Sequence, residues 1–111
     1  MARTKEKRSR PQAQVAPKLR PLKQIRAAEH EHYEKRWYDR HMLLLERMVE
    51  EKKEPPPPEV LREGVRAAAR IERKYGKKNL GPYTDFEWGA LWGKHVALRW
   101  VLGDDWDNGD T

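Results

Sequence analysis

Four consecutive prolines at 55–58 constrain the fold of this 111-residue chain more than any other feature. Proline fixes φ and lacks a backbone N–H, so neither a helix nor a central strand can pass through such a run. The run favours a stiff polyproline II conformation, which suits either a ligand for an SH3-type groove or a rigid corner between two helices. We favour the corner, with Pro58 near the first position of the following helix.

The segment before the prolines, 22–54, predicts one long helix. It has neither proline nor glycine and is rich in residues of good helix propensity. Apolar side chains recur at helical spacing in its second half and form one broad face. The face has two adjoining stripes, which are Tyr33, Trp37, Leu44 and Met48, and Tyr38, Met42, Leu45 and Val49.

A second helix is predicted over 59–75, with Gly76 placed to end it in a left-handed conformation. Its apolar residues share one face by their spacing of three and four: Leu61, Val65, Ala68, Ile71 and Tyr75. The opposite face carries an arginine ridge of Arg62, Arg66, Arg70 and Arg73. We interpret this ridge as solvated, or as paired with acidic residues of the first helix, rather than as a binding surface.

A third helix has the clearest start signal in the chain. Thr84 and Glu87 have the spacing of a capping box, and Tyr83 and Trp88 that of a hydrophobic staple. We expect the helix to run to Leu102, with a polar arc of Glu87, Lys94, His95 and Arg99. Its tryptophans at 88, 92 and 100 are expected to lie in the core rather than to stack on nucleic-acid bases.

Small residues recur every four positions on the second and third helices. They are Gly64 and Ala68 on the former, and Gly89, Gly93 and Ala97 on the latter. Small groups at this spacing let two backbones approach closely, so 59–103 is expected to form a close antiparallel helical hairpin with the first helix laid across it. The sequence therefore predicts an all-α fold of a long N-terminal helix, a polyproline corner and this hairpin.

Charge is unevenly distributed, although the net charge is only +6. Residues 1–26 hold nine of the 24 Lys and Arg side chains and one of the 18 acids. Residues 1–21 also contain three prolines and few apolar groups, which predicts a disordered basic arm. A flexible cationic chain follows a phosphate backbone without reading sequence. The candidate nucleic-acid-binding residues are Arg3, Lys5, Lys7, Arg8, Arg10, Lys18, Arg20, Lys23 and Arg26. A solubilising tail, or a tail that docks on an acidic protein, is the other interpretation of the arm.

No set of residues typical of an enzyme or of a cofactor site is evident, and we expect no catalytic residues. The sequence has no cysteine, and its one serine, Ser9, lies in the arm. Glu29 and His32 match the Glu-x-x-His pattern of di-iron bundles, but no second copy of the pattern exists. We therefore expect no metal, no cofactor and no small-molecule substrate. The segment 104–111 is expected to be an acidic tail that meets a basic surface.

A cytoplasmic location and no membrane partner are expected, because the first residues lead into no apolar stretch and the longest aliphatic run, 42–45, is far too short for a span. The segment 86–107 resembles the C-terminal part of short uncharacterised bacterial and phage-encoded proteins. The resemblance is carried by Ala97-Leu98-Arg99-Trp100-Val101-Leu102-Gly103-Asp104 and Trp106-Asp107. It implies a prokaryotic or viral intracellular setting and no particular activity.

The functional hypothesis from the sequence is a small non-enzymatic protein that contacts nucleic acid, or a nucleoprotein particle, through the basic arm. The alternative is a protein-interaction or assembly factor, for example a virion component, that oligomerises through its aromatic helices.

Overall fold

The computed structural model describes residues 17–52 and 54–106. These residues form three α-helices, α1 (Leu22–Glu51), α2 (Pro58–Tyr75) and α3 (Asp85–Val101). A short 3-10 helix, Lys77–Asn79, lies between α2 and α3. The predicted all-α fold with a long first helix is confirmed. Most of the predicted disordered arm falls outside the described residues, while residues 17–21 are exposed and have no regular secondary structure.

The helix boundaries follow the local chemistry of the sequence. α1 ends before the prolines, with Lys52 in the left-handed conformation. α2 begins at Pro58, where the missing N–H costs no hydrogen bond, and it ends before Gly76, which has a φ of 86° that only glycine adopts without strain.

The capping box of α3 is present as predicted. The backbone N–H of Glu87 donates to Thr84 Oγ1 at 3.1 Å, and the backbone N–H of Thr84 donates to Glu87 Oε1 at 2.9 Å. The rings of Tyr83 and Trp88 lie 6.5 Å apart, as a hydrophobic staple requires. The start of α3 is therefore fixed by residues close to one another in the sequence.

The buried apolar core of the described residues is small and lies between α1, α2 and the end of the 3-10 helix. It consists of Tyr38, Ala68, Ile71 and Leu80, with Trp37 and Tyr75 packed against it. Trp92 and Trp100 of α3 are 42% and 51% exposed, so the expectation that they belong to the core is wrong. Their positions differ because α3 packs on α1 through a polar contact, which is described below.

Two tyrosine hydroxyls at the edge of this core tie α1 to α2. The Tyr38 hydroxyl donates to Glu72 Oε2 at 2.5 Å, and the Tyr75 hydroxyl donates to Glu34 Oε1 at 2.6 Å. Burial, together with the neighbouring carboxylate, raises the pKa of each tyrosine to about 12. Both hydroxyls therefore remain protonated donors at neutral pH.

The prediction that the second and third helices form a close hairpin is wrong. α2 and α3 each pack against α1, and no comparable contact joins α2 to α3 within the described residues. A Cβ built at Gly89 or Gly93 meets no atom within 4 Å, because both glycines face open space. Gly64 instead faces the ring of His41 on α1. The long helix is thus the element on which the other two assemble.

We expect Gly89→Ala and Gly93→Ala each to raise the free energy of unfolding by about 0.5–1 kcal/mol, because alanine has the higher helix propensity and its methyl group enters open space. Chemical denaturation followed by circular dichroism measures this.

Gly64→Ala is the matched control for these two variants. Its Cβ would lie 2.9 Å from His41 Cε1, and that ring is stacked on Trp37 at 4.8 Å between centroids. The gain in helix propensity is then offset by displacement of His41. Loss of stability in Gly89→Ala or Gly93→Ala would show that these glycines do sit against a backbone.

Candidate functional site

The N-terminus of α1 is a concentrated cationic surface. Lys18, Arg20, Lys23 and Arg26 are all exposed, and the first acidic residue of the described chain is Glu29. A helix N-terminus carries a partial positive charge and several N–H groups without intrahelical partners. α1 has no acidic residue in its first turn, and its N-cap residue, Pro21, makes no side-chain hydrogen bond. The four cations therefore add to a positive pole that the helix itself leaves uncompensated.

The other two helices begin differently: α2 also lacks a side-chain cap, but Glu59 lies in its first turn. The first turn of α3 contains Asp85 and Glu87 and is capped by Thr84. In α1 the Arg20 guanidinium only approaches Gln24, with its Nη1 at 3.4 Å from Oε1. An anion such as a phosphate is the kind of ligand that an uncapped, cation-rich helix N-terminus favours.

Four of the nine predicted nucleic-acid-binding residues thus lie together in the described chain, on one short segment. The remaining five lie outside the described residues: Arg3, Lys5, Lys7, Arg8 and Arg10. The arginine ridge of α2 is exposed to solvent. Its Arg66 lies 3.6 Å from Glu63 of the same helix, and both side chains are about two-thirds exposed or more. This agrees with the interpretation of the ridge as a solvated face.

A second polar cluster, buried between α1 and α3, is centred on His95. This side chain is 2% exposed. Its Nε2 lies 2.7 Å from Glu29 Oε2, and its Nδ1 lies 2.9 Å from Arg36 Nη1. A guanidinium can only donate, so Nδ1 accepts and Nε2 carries the proton that is donated to Glu29. His95 is therefore a neutral bridge between a carboxylate and a guanidinium.

The electrostatic surroundings keep this imidazole neutral. Burial lowers the pKa of His95, the hydrogen bond to Glu29 opposes that effect, and the positive charges of Arg36 and Arg99 lower the pKa again. The net result is a pKa below the ordinary histidine value. Protonation of Nδ1 would also place an N–H against the Arg36 guanidinium and break that hydrogen bond.

Arg36 links this cluster to the aromatic residues of α3. It is 4% exposed, and its guanidinium carbon lies 5.9 Å from the ring centroids of both Trp88 and Trp92. Guanidinium groups are attracted to aromatic faces at this distance. These tryptophans therefore cover a buried cation instead of filling an apolar core, which explains why Trp92 is partly exposed.

The His95 cluster joins α1 to α3. Both ring nitrogens are engaged, so the imidazole offers no lone pair to a substrate. The prediction that His95 belongs to a polar arc of α3 with Lys94 and Arg99 is wrong, since His95 is the most completely buried large side chain described. Sequence reasoning missed Arg36 altogether. The one available signal was a charged residue beside Trp37 at the start of the apolar face.

Both members of the Glu-x-x-His pair, Glu29 and His32, are engaged in other contacts. Glu29 is used by His95, and His32 Nδ1 lies 2.8 Å from the carbonyl oxygen of Ala28. Across residues 17–52 and 54–106, no group of three or more histidine, aspartate or glutamate side chains is placed to hold a metal ion.

The start of the predicted acidic tail folds back onto α3. Asp104 Oδ2 accepts from Arg99 Nε at 2.7 Å, and the Trp106 ring meets the Trp100 ring edge-on at 5.0 Å. The arginine compensates a negative charge that would otherwise face the negative end of the helix dipole. The last part of the tail, 107–111, lies outside the described residues.

Comparison of the chain with protein-family models, curated proteins and solved structures gives no match. The resemblance of the segment 86–107 to short bacterial and phage-encoded proteins therefore stays a prediction.

We expect the free energy of unfolding to fall as the pH drops below about 6.5, the ordinary pKa of histidine. The pKa of His95 is lowered in the folded state, so the unfolded chain binds more protons in this range and acid favours unfolding. The loss continues until the pH reaches the folded-state pKa of His95. Denaturation midpoints measured from pH 7.5 to 5 test this.

His41 is the internal control, because burial also lowers its pKa. His95→Gln and His41→Gln should each flatten part of the pH dependence, and the double variant should flatten most of it. An unchanged slope in His95→Gln would contradict the neutral, buried state of His95.

Proposed function

We propose that this protein is a small non-enzymatic binding protein that contacts nucleic acid through the basic segment leading into α1. The observation that carries the proposal is the acid-free cluster of Lys18, Arg20, Lys23 and Arg26 at an uncapped helix N-terminus. Phosphate contacts from such a cluster supply affinity through counterion release. They act on the backbone of the nucleic acid and carry no base specificity.

The distribution of charge over the rest of the chain supports the same surface. Beyond residue 26 the chain has 15 basic and 17 acidic residues, so the cations of 1–26 stand against a nearly neutral body. Electrostatic attraction then orients the protein with the α1 N-terminus toward the phosphates. Five more cations precede this cluster in the sequence, at 3–10. A cytoplasmic location, where nucleic acid is accessible, is part of the proposal.

A second candidate function, an assembly factor, is favoured by exposed aromatic residues on and after α3. Phe86 is 84% exposed, Trp100 is 51% exposed and Trp106 is 59% exposed. Aromatic residues that are enriched on a surface are typical anchors of protein interfaces.

As for membranes, none of the helices in the described part of the chain is long and apolar enough to cross a bilayer.

The test of nucleic-acid binding is a titration of the full chain with a short DNA duplex and with single-stranded RNA at several salt concentrations. We expect the logarithm of the binding constant to fall linearly with the logarithm of the salt concentration, with a slope of about −0.9 per phosphate contact on the duplex. Replacing Lys18, Arg20, Lys23 and Arg26 by glutamine should make that slope shallower by about three to four units.

The matched control replaces four exposed cations elsewhere, Arg62, Arg66, Arg73 and Lys78, by glutamine. It removes the same charge from α2 and the 3-10 helix, so the slope should stay near that of the parent protein if the position of the charges, rather than the net charge, determines binding. Equal effects of the two quadruple variants would reject the α1 segment as the site. Absence of salt-sensitive binding in the parent protein would reject the function.

A further inference from the structure

A groove of about 630 Å³ runs between α1 and α2. Its walls are mostly apolar, and Leu44 and Val60 in those walls are 49% and 57% exposed. On α1 the groove extends from His30 to Met48, which is about 27 Å at 1.5 Å per residue. A groove of this length between two helices is long enough to bind a third helix.

One edge of α2 lines this groove and carries opposite charges at its two ends. The edge consists of Val60, Glu63, Ala67 and Arg70, at the spacing of three and four that places residues along one side of a helix. Glu63 and Arg70 are both exposed, and Glu63 lies 3.6 Å from Arg66 of the same helix in a contact between two exposed side chains. They lie two turns apart, about 10 Å along the axis, so they cannot pair with one another within the same helix.

An antiparallel copy of α2 is the occupant whose charges match this edge. When the α2 edges of two copies lie side by side and antiparallel, each Glu63 lies opposite Arg70 of the other copy. The Glu63–Arg70 ion pair is then formed twice. The same alignment places Ala67 at the crossing point, where its small side chain lets the two helices approach closely. A parallel copy would instead bring like charges together at both positions.

We propose that a second copy of this chain occupies the groove through its own α2, antiparallel and related by a two-fold axis that passes near Ala67. The contact is isologous, so every residue of the edge is used once by each copy. The partly exposed apolar side chains of both grooves are then covered by the opposing helices. This interface is separate from the α1 N-terminus and does not depend on nucleic-acid binding.

The experiment is sedimentation velocity on the full chain and its variants over a range of concentrations. The parent protein should form a dimer. Glu63→Arg and Arg70→Glu should each raise the dimer dissociation constant about tenfold or more, because each turns two attractive pairs into two repulsive ones. The double variant, Glu63→Arg with Arg70→Glu, restores both pairs and should dimerise like the parent.

Mixing the two single variants gives the sharpest result. At positions 63 and 70, the Glu63→Arg variant has two arginines and the Arg70→Glu variant has two glutamates. An equimolar mixture should therefore form heterodimers, although each variant alone stays mostly monomeric. Arg62→Glu makes a similar charge change at an exposed position outside the groove, and it should leave dimerisation near the parent value.

Three results would overturn the proposal. The first is a parent protein that stays monomeric at every concentration. The second is a dimer that neither single reversal weakens, which would place the interface elsewhere. The third is a dimer lost in the single variants and recovered neither by mixing them nor in the double variant. Circular dichroism of each variant records whether its helices remain folded.

Discussion

The contact on which the rest of this structure depends is the buried bridge of His95 between Glu29 and Arg36. The described residues have four buried apolar side chains, all outside α3, so no buried apolar cluster joins α3 to the protein. The bridge does so with two short hydrogen bonds to charged groups, a type worth about 1.5–3 kcal/mol each. Removing His95 would take a hydrogen-bond acceptor away from the buried guanidinium of Arg36, which makes the contact specific as well as stabilising.

α1 organises the protein because each part of its surface serves a different purpose. Its first turns carry exposed cations, and its next turns hold Glu29 and Arg36 against α3. Its apolar face packs on α2 and forms one wall of the groove. A helix of 30 residues is long enough to keep these surfaces apart. The cationic end is thus left exposed, while the remainder of the helix binds the other two helices.

The sequence predicted those features that depend on neighbouring residues. The proline run, Gly76 and the Thr84–Glu87 capping box mark helix ends by local sterics and hydrogen bonding, and all act where expected. The packing partners of the helices were harder to predict. Glycines at a spacing of four have the same sequence pattern whether they face another helix or solvent, and Gly89 and Gly93 face solvent. The burial of His95 depends on residues 59 and 66 positions away, and no local pattern reports them.

The most direct test of the bridge is the protonation state of the His95 ring, read from nitrogen-15 chemical shifts and their pH dependence. The geometry predicts a neutral ring at pH 7, with Nε2 protonated, Nδ1 unprotonated, and a pKa below that of an ordinary histidine. A ring protonated on both nitrogens at pH 7, or a neutral ring with its proton on Nδ1, would contradict the bridge. In either case Arg36 could not donate to His95 as the structure requires.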